Sequence, residues 1–169
     1  MAIQQLGQHV RQRTRTSRAV ASRVHNRYAG GPATKSFSMQ PLASARTVSF
    51  VLTADQERSG VFYRDVLGLP FLVDDGFAQV FALPGGVLRI TPIEGFAPGA
   101  HPVLGWTVGD IRGSCAALKA KGLKMEIYEG MGQDEDGIWA APDGRTFVCF
   151  FKDPDGNVLS LTQGSVEPA

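Results

Sequence analysis

Few side chains in this sequence have the chemistry of a catalytic or binding site, and they are widely spaced. Arg89 lies in a strand-like run, where its guanidinium could bind a carboxylate or phosphate group of a ligand. His101 is the one histidine after residue 54, and its imidazole could contact a substrate or ligate a metal ion. Trp139 follows three acids in a glycine-rich segment and could act as a lid that stacks on a planar ligand. This combination favours recognition of a small organic molecule.

Each of these residues also has an ordinary structural role open to it. Arg89 could form an ion pair with a nearby acid or reach solvent, because a cation that faces an apolar cavity must be paired or hydrated. His101 could be a solvated or capping residue, and Trp139 could anchor a surface loop. The acids at 134–136 could bind a cation, and either they or Glu129 could supply a general base, although a solvated turn is more typical of such a run.

A strand–helix pattern that occurs twice must position these side chains. In the first copy, a strand-like run at 51–55 ends at an aspartate, and a helical stretch follows as far as Gly68. In the second copy, the run at 106–110 also ends at an aspartate, and the helical stretch ends at Gly122. The aspartates can cap these helices and the glycines can end them. The repeat predicts two modules packed together, with a cleft between them for a small molecule.

Turn residues divide each module into further strands. The predicted strands lie at 47–53, 70–74, 77–83, 87–92, 103–108, 124–128, 147–151 and 158–162, with a short one possible at 138–139. The linker at 93–102 contains two prolines and two glycines. The predicted fold is therefore α+β. Two paired βαβββ modules, 46–92 and 103–163, form a curved sheet around a cleft, and the helices lie on its outer face.

Alternation along the strands predicts which side chains line the concave face of this sheet. They are Val48, Phe50, Leu52, Val87, Arg89, Thr91, Val103, Gly105, Thr107, Val158, Ser160 and Thr162. Small-molecule pockets have such a mostly apolar lining with a few polar groups. The predicted ligand-binding residues are Phe50, Arg89, His101, Val103, Thr107, Trp139 and Ser160. No catalytic residue is predicted, and Ser160 lacks the neighbouring histidine that a nucleophilic serine requires.

Two segments resemble the hallmark segments of the vicinal oxygen chelate superfamily. They are Phe-Tyr-Arg-Asp-Val-Leu-Gly-Leu at 62–69 and Phe-Lys-Asp-Pro-Asp-Gly-Asn at 151–157. This superfamily contains glyoxalase I, bleomycin-resistance proteins, fosfomycin-resistance enzymes and extradiol dioxygenases. The resemblance covers residues 46 to about 163 and implies a glyoxalase-like, two-module protein. It implies the fold more strongly than any one chemistry.

The resemblance also implies where a divalent metal would lie. Most enzymes of the superfamily hold the metal with His, Glu or Gln from the first and fourth strands of each module. The matching positions here are Val48, Arg89, Val103 and Ser160. Valine has no donor atom, arginine is cationic and a neutral serine is a weak ligand, so we predict no metal and no cofactor.

Two functions remain open. The first is a metal-free protein that binds a small organic molecule in the cleft, resembling bleomycin-resistance proteins. The second is a glyoxalase-like lyase, isomerase or dioxygenase that uses a divalent metal at a non-standard site. His101, two residues before Val103, is the side chain that could contribute to such a site.

The charge distribution separates an N-terminal segment from the rest. Up to residue 54 there are eight basic residues and no acid, whereas nine basic and all sixteen acidic residues follow. We predict a basic, disordered extension over 1–42 and a glyoxalase-like domain over 43–169. The extension fits a transit peptide, a functional tail, or translation from upstream of a true start at Met39.

Composition also limits the partners and the location. The acidic domain argues against nucleic acid binding, and no apolar run approaches the ~20 residues of a membrane span. Nothing in the spacing pairs Cys115 with Cys149, so we expect reduced, buried thiols. We predict a cytoplasmic homodimer that binds a small-molecule ligand, with the organelle matrix as the alternative location if the extension is a transit peptide.

Overall fold

The computed structural model describes Leu42 and residues 44–164. The prediction of disorder at 1–42 therefore lies, except for Leu42, outside the described residues. The first module consists of β1 (Thr47–Thr53), α1 (Gln56–Val61) with a π-helical continuation (Phe62–Val66), β2 (Phe71–Asp74), β3 (Gln79–Leu83) and β4 (Gly86–Pro92). The second consists of β5 (Pro102–Thr107), α2 (Ile111–Ala120), β6 (Met125–Glu126), β7 (Ile138–Ala140), β8 (Phe147–Lys152) and β9 (Val158–Gln163). The α+β class is confirmed.

The two modules have the same strand order. The first sheet is ordered β1-β4-β3-β2, and the second is ordered β5-β9-β8-β6 with β7 also on β8. In each sheet the first and last strands of the module pair in parallel, and the other pairs are antiparallel. The prediction of two βαβββ modules is confirmed.

The edge strand of the second module is split into two pieces, which corrects the strand predicted at 124–128. β6 pairs with Phe150 and Phe151, and β7 pairs with the preceding residues of the same strand. Between them, the Gln133 side chain accepts from the backbone N–H of Tyr128 at 2.7 Å and donates to the Glu126 carbonyl at 2.9 Å. Because this amide satisfies backbone groups that a strand partner would otherwise take, the chain leaves the sheet here.

The helix boundaries follow the predicted caps. The Asp55 carboxylate accepts from the N–H of Arg58 at 3.1 Å, and the Asp110 carboxylate accepts from the N–H of Gly113 at 3.0 Å. Gly68, with φ of 72°, ends the first helical segment. No helix among residues 42 and 44–164 has the length and apolar character that a membrane crossing requires.

One face of each sheet, which we name the helix face, packs against the helices. Tyr63 contacts Phe81 of β3 with ring centroids 6.3 Å apart, and Cys115 of α2 contacts Cys149 of β8. The buried core is continuous between the modules and includes Leu88, Ile90, Ile111, Phe151, Leu159 and Leu161. Burial of each large apolar side chain stabilises the fold by about 1.5–3 kcal/mol. The opposite face, which we name the open face, carries no helix among the described residues.

The two hallmark segments meet at the junction of the modules. The Tyr63 hydroxyl donates to Asp153 at 3.0 Å, and the Asn157 amide donates to the Leu52 carbonyl at 2.9 Å. Burial, followed by the negative charge of Asp153, raises the pKa of Tyr63, so this phenol stays neutral. The turn at the start of β9 is therefore hydrogen-bonded to the first module.

Asp155 makes the densest of these contacts. Its carboxylate accepts from the hydroxyls of Thr53 and Ser59 at 2.5 and 2.6 Å. It also accepts from the Ala54 N–H at 3.0 Å and from Arg58 Nη2 at 2.9 Å. Burial acts to raise the pKa of Asp155, but the hydrogen bonds from Ser59, Thr53 and Ala54 and the charge of Arg58 outweigh it and lower that pKa. The carboxylate is ionised and joins the modules.

Candidate functional site

The open face of the first module exposes apolar side chains of β1. Val48, Phe50 and Leu52 are 49%, 60% and 37% exposed. Phe50 is the register partner of Arg89, and Leu52 is the register partner of Thr91. The hydroxyl of Thr91 is buried and has no hydrogen-bond partner among the described residues. Along β1 this face is therefore apolar, and β4 beside it contributes Arg89 and the unsatisfied hydroxyl of Thr91.

The open face of the second module is built from alternate residues of β5, β7, β8 and β9. Cys149 and Phe151 of β8 are buried on the helix face, so Phe150 between them faces the other way. The register places Phe150 opposite Ser160 and Val148 opposite Trp139. Val103 of β5 is 48% exposed. The predicted residues Trp139 and Ser160 thus share one face with Phe150, whereas Val103 lies where the register between β5 and β9 shifts.

A cavity of about 250 Å³ opens on this face beside the linker between the modules. It is lined by Ala100, Pro102, Tyr128, Met131, Phe150 and Val158. The rings of Tyr128 and Phe150 meet edge to face, with centroids 5.7 Å apart. A neighbouring cavity of about 330 Å³ shares Ala100, Tyr128 and Val158, and extends to Lys152. We name the two together the open-face pocket.

The open-face pocket has apolar walls and a charged rim. The Lys152 ammonium donates to the Glu126 carboxylate at 2.8 Å, and this hydrogen bond raises the pKa of Lys152. Both side chains are partly exposed, so a ligand could compete with this ion pair at little cost in free energy. The pocket can therefore take an apolar or aromatic group and leave a polar end of the ligand near the rim.

The structure gives Arg89 an acid partner. Its Nη2 donates to Asp75 at 2.7 Å, and the Arg89 side chain is 25% exposed. The hydrogen bond from Arg89, followed by those from the N–H groups of Phe77 and Ala78, lowers the pKa of Asp75. The ion-pair role is thus observed, and a ligand-clamping role for Arg89 stays a prediction.

Three other predicted residues, like those described above, are not part of the lining of the open-face pocket. His101 is exposed in the linker, directly between two residues that line the open-face pocket. Thr107, at the end of β5, borders a different cavity on the helix side. Trp139 is half-buried within β7, the short strand that the sequence allowed at 138–139, and its role as a lid that stacks on a ligand stays a prediction. The pairing with β8 keeps this segment extended as a strand, although a glycine-rich stretch precedes it.

The acidic run at 134–136 has a structural role. The Asp134 carboxylate accepts from Arg112 at 2.8 Å and from the Ile138 N–H at 2.9 Å, and Asp136 accepts from Lys119 at 2.7 Å. For Asp134, burial acts to raise the pKa, but these hydrogen bonds and the charge of Arg112 lower it overall. A carboxylate with a lowered pKa is a weak base, and the run fastens the loop to α2.

Sequence reasoning missed the side chains that form the walls and rim of the pocket, among them Tyr128, Met131, Phe150 and Lys152. Alternation within 147–151 was a usable signal for Phe150, because Cys149 and Phe151 are the buried positions of that strand. Tyr128 and Met131 follow the break after β6, and no periodic pattern predicts the path of that loop.

A second cavity, of about 390 Å³, lies on the helix side. Its lining includes Val66, Leu69, Trp106, Leu118, Lys121 and Phe151. Lys121 donates to the carbonyls of Asp65 and Val66 at 3.0 and 2.8 Å, so its ammonium caps the end of the first helical segment. Most other lining residues pack against the core. This cavity is a gap in packing between the helices more than a site with aimed polar groups.

The donor set of the open face does not fit a divalent metal. Of the four positions that the resemblance implies, Val48 and Val103 have no donor atom, and Arg89 is a cation bound to Asp75. Ser160 adds one neutral hydroxyl. Within residues 42 and 44–164, no three His, Cys, Asp or Glu side chains are grouped so that they could ligate one ion.

The sequence matches the model of one protein family. Residues 44–161 match the Glyoxalase/Bleomycin resistance protein/Dioxygenase superfamily. No protein of curated function matches the sequence.

Several solved structures share the fold. A lactoylglutathione lyase from Agrobacterium tumefaciens is 17% identical with a TM-score of 0.55, over 72% of this chain and 94% of that one. A fosfomycin resistance protein from Listeria monocytogenes is 12% identical with a TM-score of 0.56, over 71% and 93%. A glyoxalase/bleomycin resistance protein/dioxygenase from Nocardioides is 16% identical with a TM-score of 0.55, over 73% and 87%. At these identities the likeness is one of fold.

Proposed function

This chain belongs to the Glyoxalase/Bleomycin resistance protein/Dioxygenase superfamily, and we propose that it binds a small organic molecule in the open-face pocket without a resident metal ion. The observation that carries the proposal is the chemistry of the open face. Where enzymes that the chain resembles place metal ligands, it has Val48, Val103, Ser160 and an arginine engaged by an acid. An apolar pocket with a partly exposed ion pair at its rim lies on the same face.

The walls of the pocket suggest the class of ligand. Tyr128 and Phe150 present aromatic surfaces, and Met131 adds a polarizable, adaptable side chain. Lys152 at the rim favours a ligand with an acidic or hydrogen-bond-accepting group. A molecule with an aromatic or branched apolar body and one such group matches these walls.

The anionic aromatic dye 8-anilinonaphthalene-1-sulfonate is a suitable first probe, because its chemistry matches this description. Phe150→Ala should weaken dye binding by about tenfold or more, since it removes a large apolar wall. Phe77→Ala, at a turn residue that is 79% exposed and outside the pocket, is the matched control and should leave the affinity unchanged. Equal affinity of the Phe150→Ala variant and the wild type would remove the pocket from the proposal.

The alternative function is a metal-dependent lyase, isomerase or dioxygenase with a non-standard metal site. Its support is that the solved structures of similar fold include a lactoylglutathione lyase. Dialysis against Zn²⁺, Ni²⁺, Co²⁺, Mn²⁺ or Fe²⁺, followed by measurement of bound metal, separates the two functions. We expect far less than one ion per chain. One ion per chain that is lost in His101→Ala would favour the alternative and overturn the metal-free proposal.

We further propose that a second copy of the chain covers part of the open face. Support comes from the exposed apolar side chains of β1 and β5. Light scattering should therefore give the mass of a dimer. Phe50→Lys should shift the equilibrium toward monomer, whereas Val61→Lys, at an exposed helix position away from this face, should not. A wild-type monomer at high concentration would exclude this arrangement.

A further inference from the structure

Two cysteines that are distant in sequence meet inside the second module. Cys115 of α2 and Cys149 of β8 are 34 residues apart in sequence, yet their Sγ atoms lie 3.0 Å apart. Both residues are buried, at 2% and 0% exposure. A disulfide bond joins sulfur atoms at about 2.05 Å, so an approach of about 1 Å would bring these atoms to bonding distance. Both thiols are free and buried, as the sequence predicts, but no spacing rule predicted that they would lie in contact.

We propose that Cys115 and Cys149 form a reversible disulfide that bonds α2 covalently to β8. The oxidant is a low-molecular-weight disulfide such as oxidised glutathione. This inference does not depend on what the open-face pocket binds. It concerns how firmly the helix layer of the second module is attached to its sheet.

The position of the pair gives the bond a mechanical role. In α2, the residues buried in the core are Ile111 and Cys115. The other contacts of the helix include partly exposed ion pairs of Arg112 and Lys119 with the acidic run. Such ion pairs contribute little to stability. A covalent bond at Cys115 would therefore be a large addition to the forces that hold this helix in place.

The reaction balances as two thiol–disulfide exchanges. The first thiolate attacks the small disulfide, forms a mixed disulfide and releases one small thiol. The second thiolate then attacks the protein sulfur of that mixed disulfide and releases the other small thiol. Two S–H bonds are lost from the protein, and the released thiols carry the two protons and two electrons. Excess small thiol reverses both steps.

Burial makes the reaction conditional on local opening. Burial, followed by the neighbouring Cys115, raises the pKa of Cys149 to about 12, and burial also raises the pKa of Cys115. The charges that face the pair have opposed effects on Cys115, because Lys119 lowers its pKa whereas Asp136 and Asp134 raise it. The thiols are thus protonated and shielded in the closed state, and they react when α2 loosens from the sheet.

The test uses the full chain with oxidised and reduced glutathione mixed at several ratios. After alkylation of free thiols, peptide mass spectrometry should find the peptides of Cys115 and Cys149 linked, with the loss of two hydrogen atoms. The melting temperature of the linked form should exceed that of the reduced form by roughly 5–10 °C, given the 34-residue separation. Dithiothreitol should restore the original value.

Cys115→Ala and Cys149→Ala are the matched controls, since each retains one thiol and cannot form the link. Their melting temperatures should not rise with the share of oxidised glutathione, because the remaining thiol can form only a mixed disulfide with glutathione. The comparison of oxidised with reduced wild type needs no variant, so the test survives if a variant fails to fold. The oxidation is repeated in a low concentration of urea, so that α2 can loosen from the sheet. Free thiols or glutathione adducts that persist under these conditions would overturn the proposal. A linked form with an unchanged melting temperature would also overturn it.

Discussion

Asp155→Ala should be among the most destabilising substitutions at the interface between the modules. The Asp155 side chain is 3% exposed, and its two oxygens accept from Thr53, Ser59, Ala54 and Arg58. Alanine would remove the carboxylate that accepts from the Ser59 hydroxyl and the Ala54 N–H, and would leave the Thr53 hydroxyl only the Asp55 carbonyl and the Ser59 hydroxyl as partners, each at 2.9 Å. Because Thr53 and Ser59 are themselves buried, water cannot replace the carboxylate at all of these groups.

The magnitude follows from these contacts. A hydrogen bond to a charged group contributes about 1.5–3 kcal/mol, but bonds that share one acceptor are not additive. The bond from Arg58, whose side chain is 51% exposed, contributes little because solvent screens it. Removal of one partner from a buried charged network costs about 3–5 kcal/mol. We therefore expect the free energy of unfolding to fall by about 3–4 kcal/mol.

Urea unfolding followed by tryptophan fluorescence and circular dichroism measures this change. The transition midpoint should fall while the slope m stays constant, because the buried surface is nearly the same. Asp65→Ala is the matched control, since its ion pair with Arg64 is exposed on both sides and should not change the midpoint measurably. A loss below about 1 kcal/mol for Asp155→Ala would refute the claim that this carboxylate joins the modules.

Three further predictions test the same junction and the open face. Although burial opposes it, the hydrogen bonds lower the pKa of Asp155 below its ordinary value of 3.8, so its stabilisation is present above that value and is lost as pH falls through the folded-state pKa. As pH falls below about 3.8, the free energy of unfolding should therefore decrease more steeply in the wild type than in an Asp155→Asn chain, which lacks this titrating group. Tyr63→Phe removes the hydrogen bond to Asp153 and should cost about 1–3 kcal/mol in urea unfolding; no change would mean that the remaining donors from Asp155 and Asn157 satisfy that acid. Gly105→Ala would direct a methyl group onto the Ser160 hydroxyl and should cost about 1–3 kcal/mol, and Ser160→Ala in the same chain should recover most of that loss if this contact is its cause.

Much of the local architecture could be predicted from the order of residues. Asp55 and Asp110 cap their helices and Gly68 ends the first, because each of these interactions joins residues within a few positions of one another. Strand alternation likewise predicted the open-face position of Phe50, and the repeat predicted the matching strand order of the modules. Local hydrogen bonds and side-chain periodicity need no knowledge of distant contacts, so these features could be derived from the order of residues.

Contacts between side chains that are distant in sequence became visible only in the folded protein. Tyr63 and Asp153 are 90 positions apart, and Cys115 and Cys149 are 34 apart, so no spacing rule could pair them. Arg89 obtained its acid partner from the turn before β3, which became its neighbour only when β3 paired with β4. The pocket around Phe150 depends on where an irregular loop and the linker come to lie. Such contacts arise from the packing of whole modules, whose geometry is a property of the assembled fold and not of any local stretch of chain.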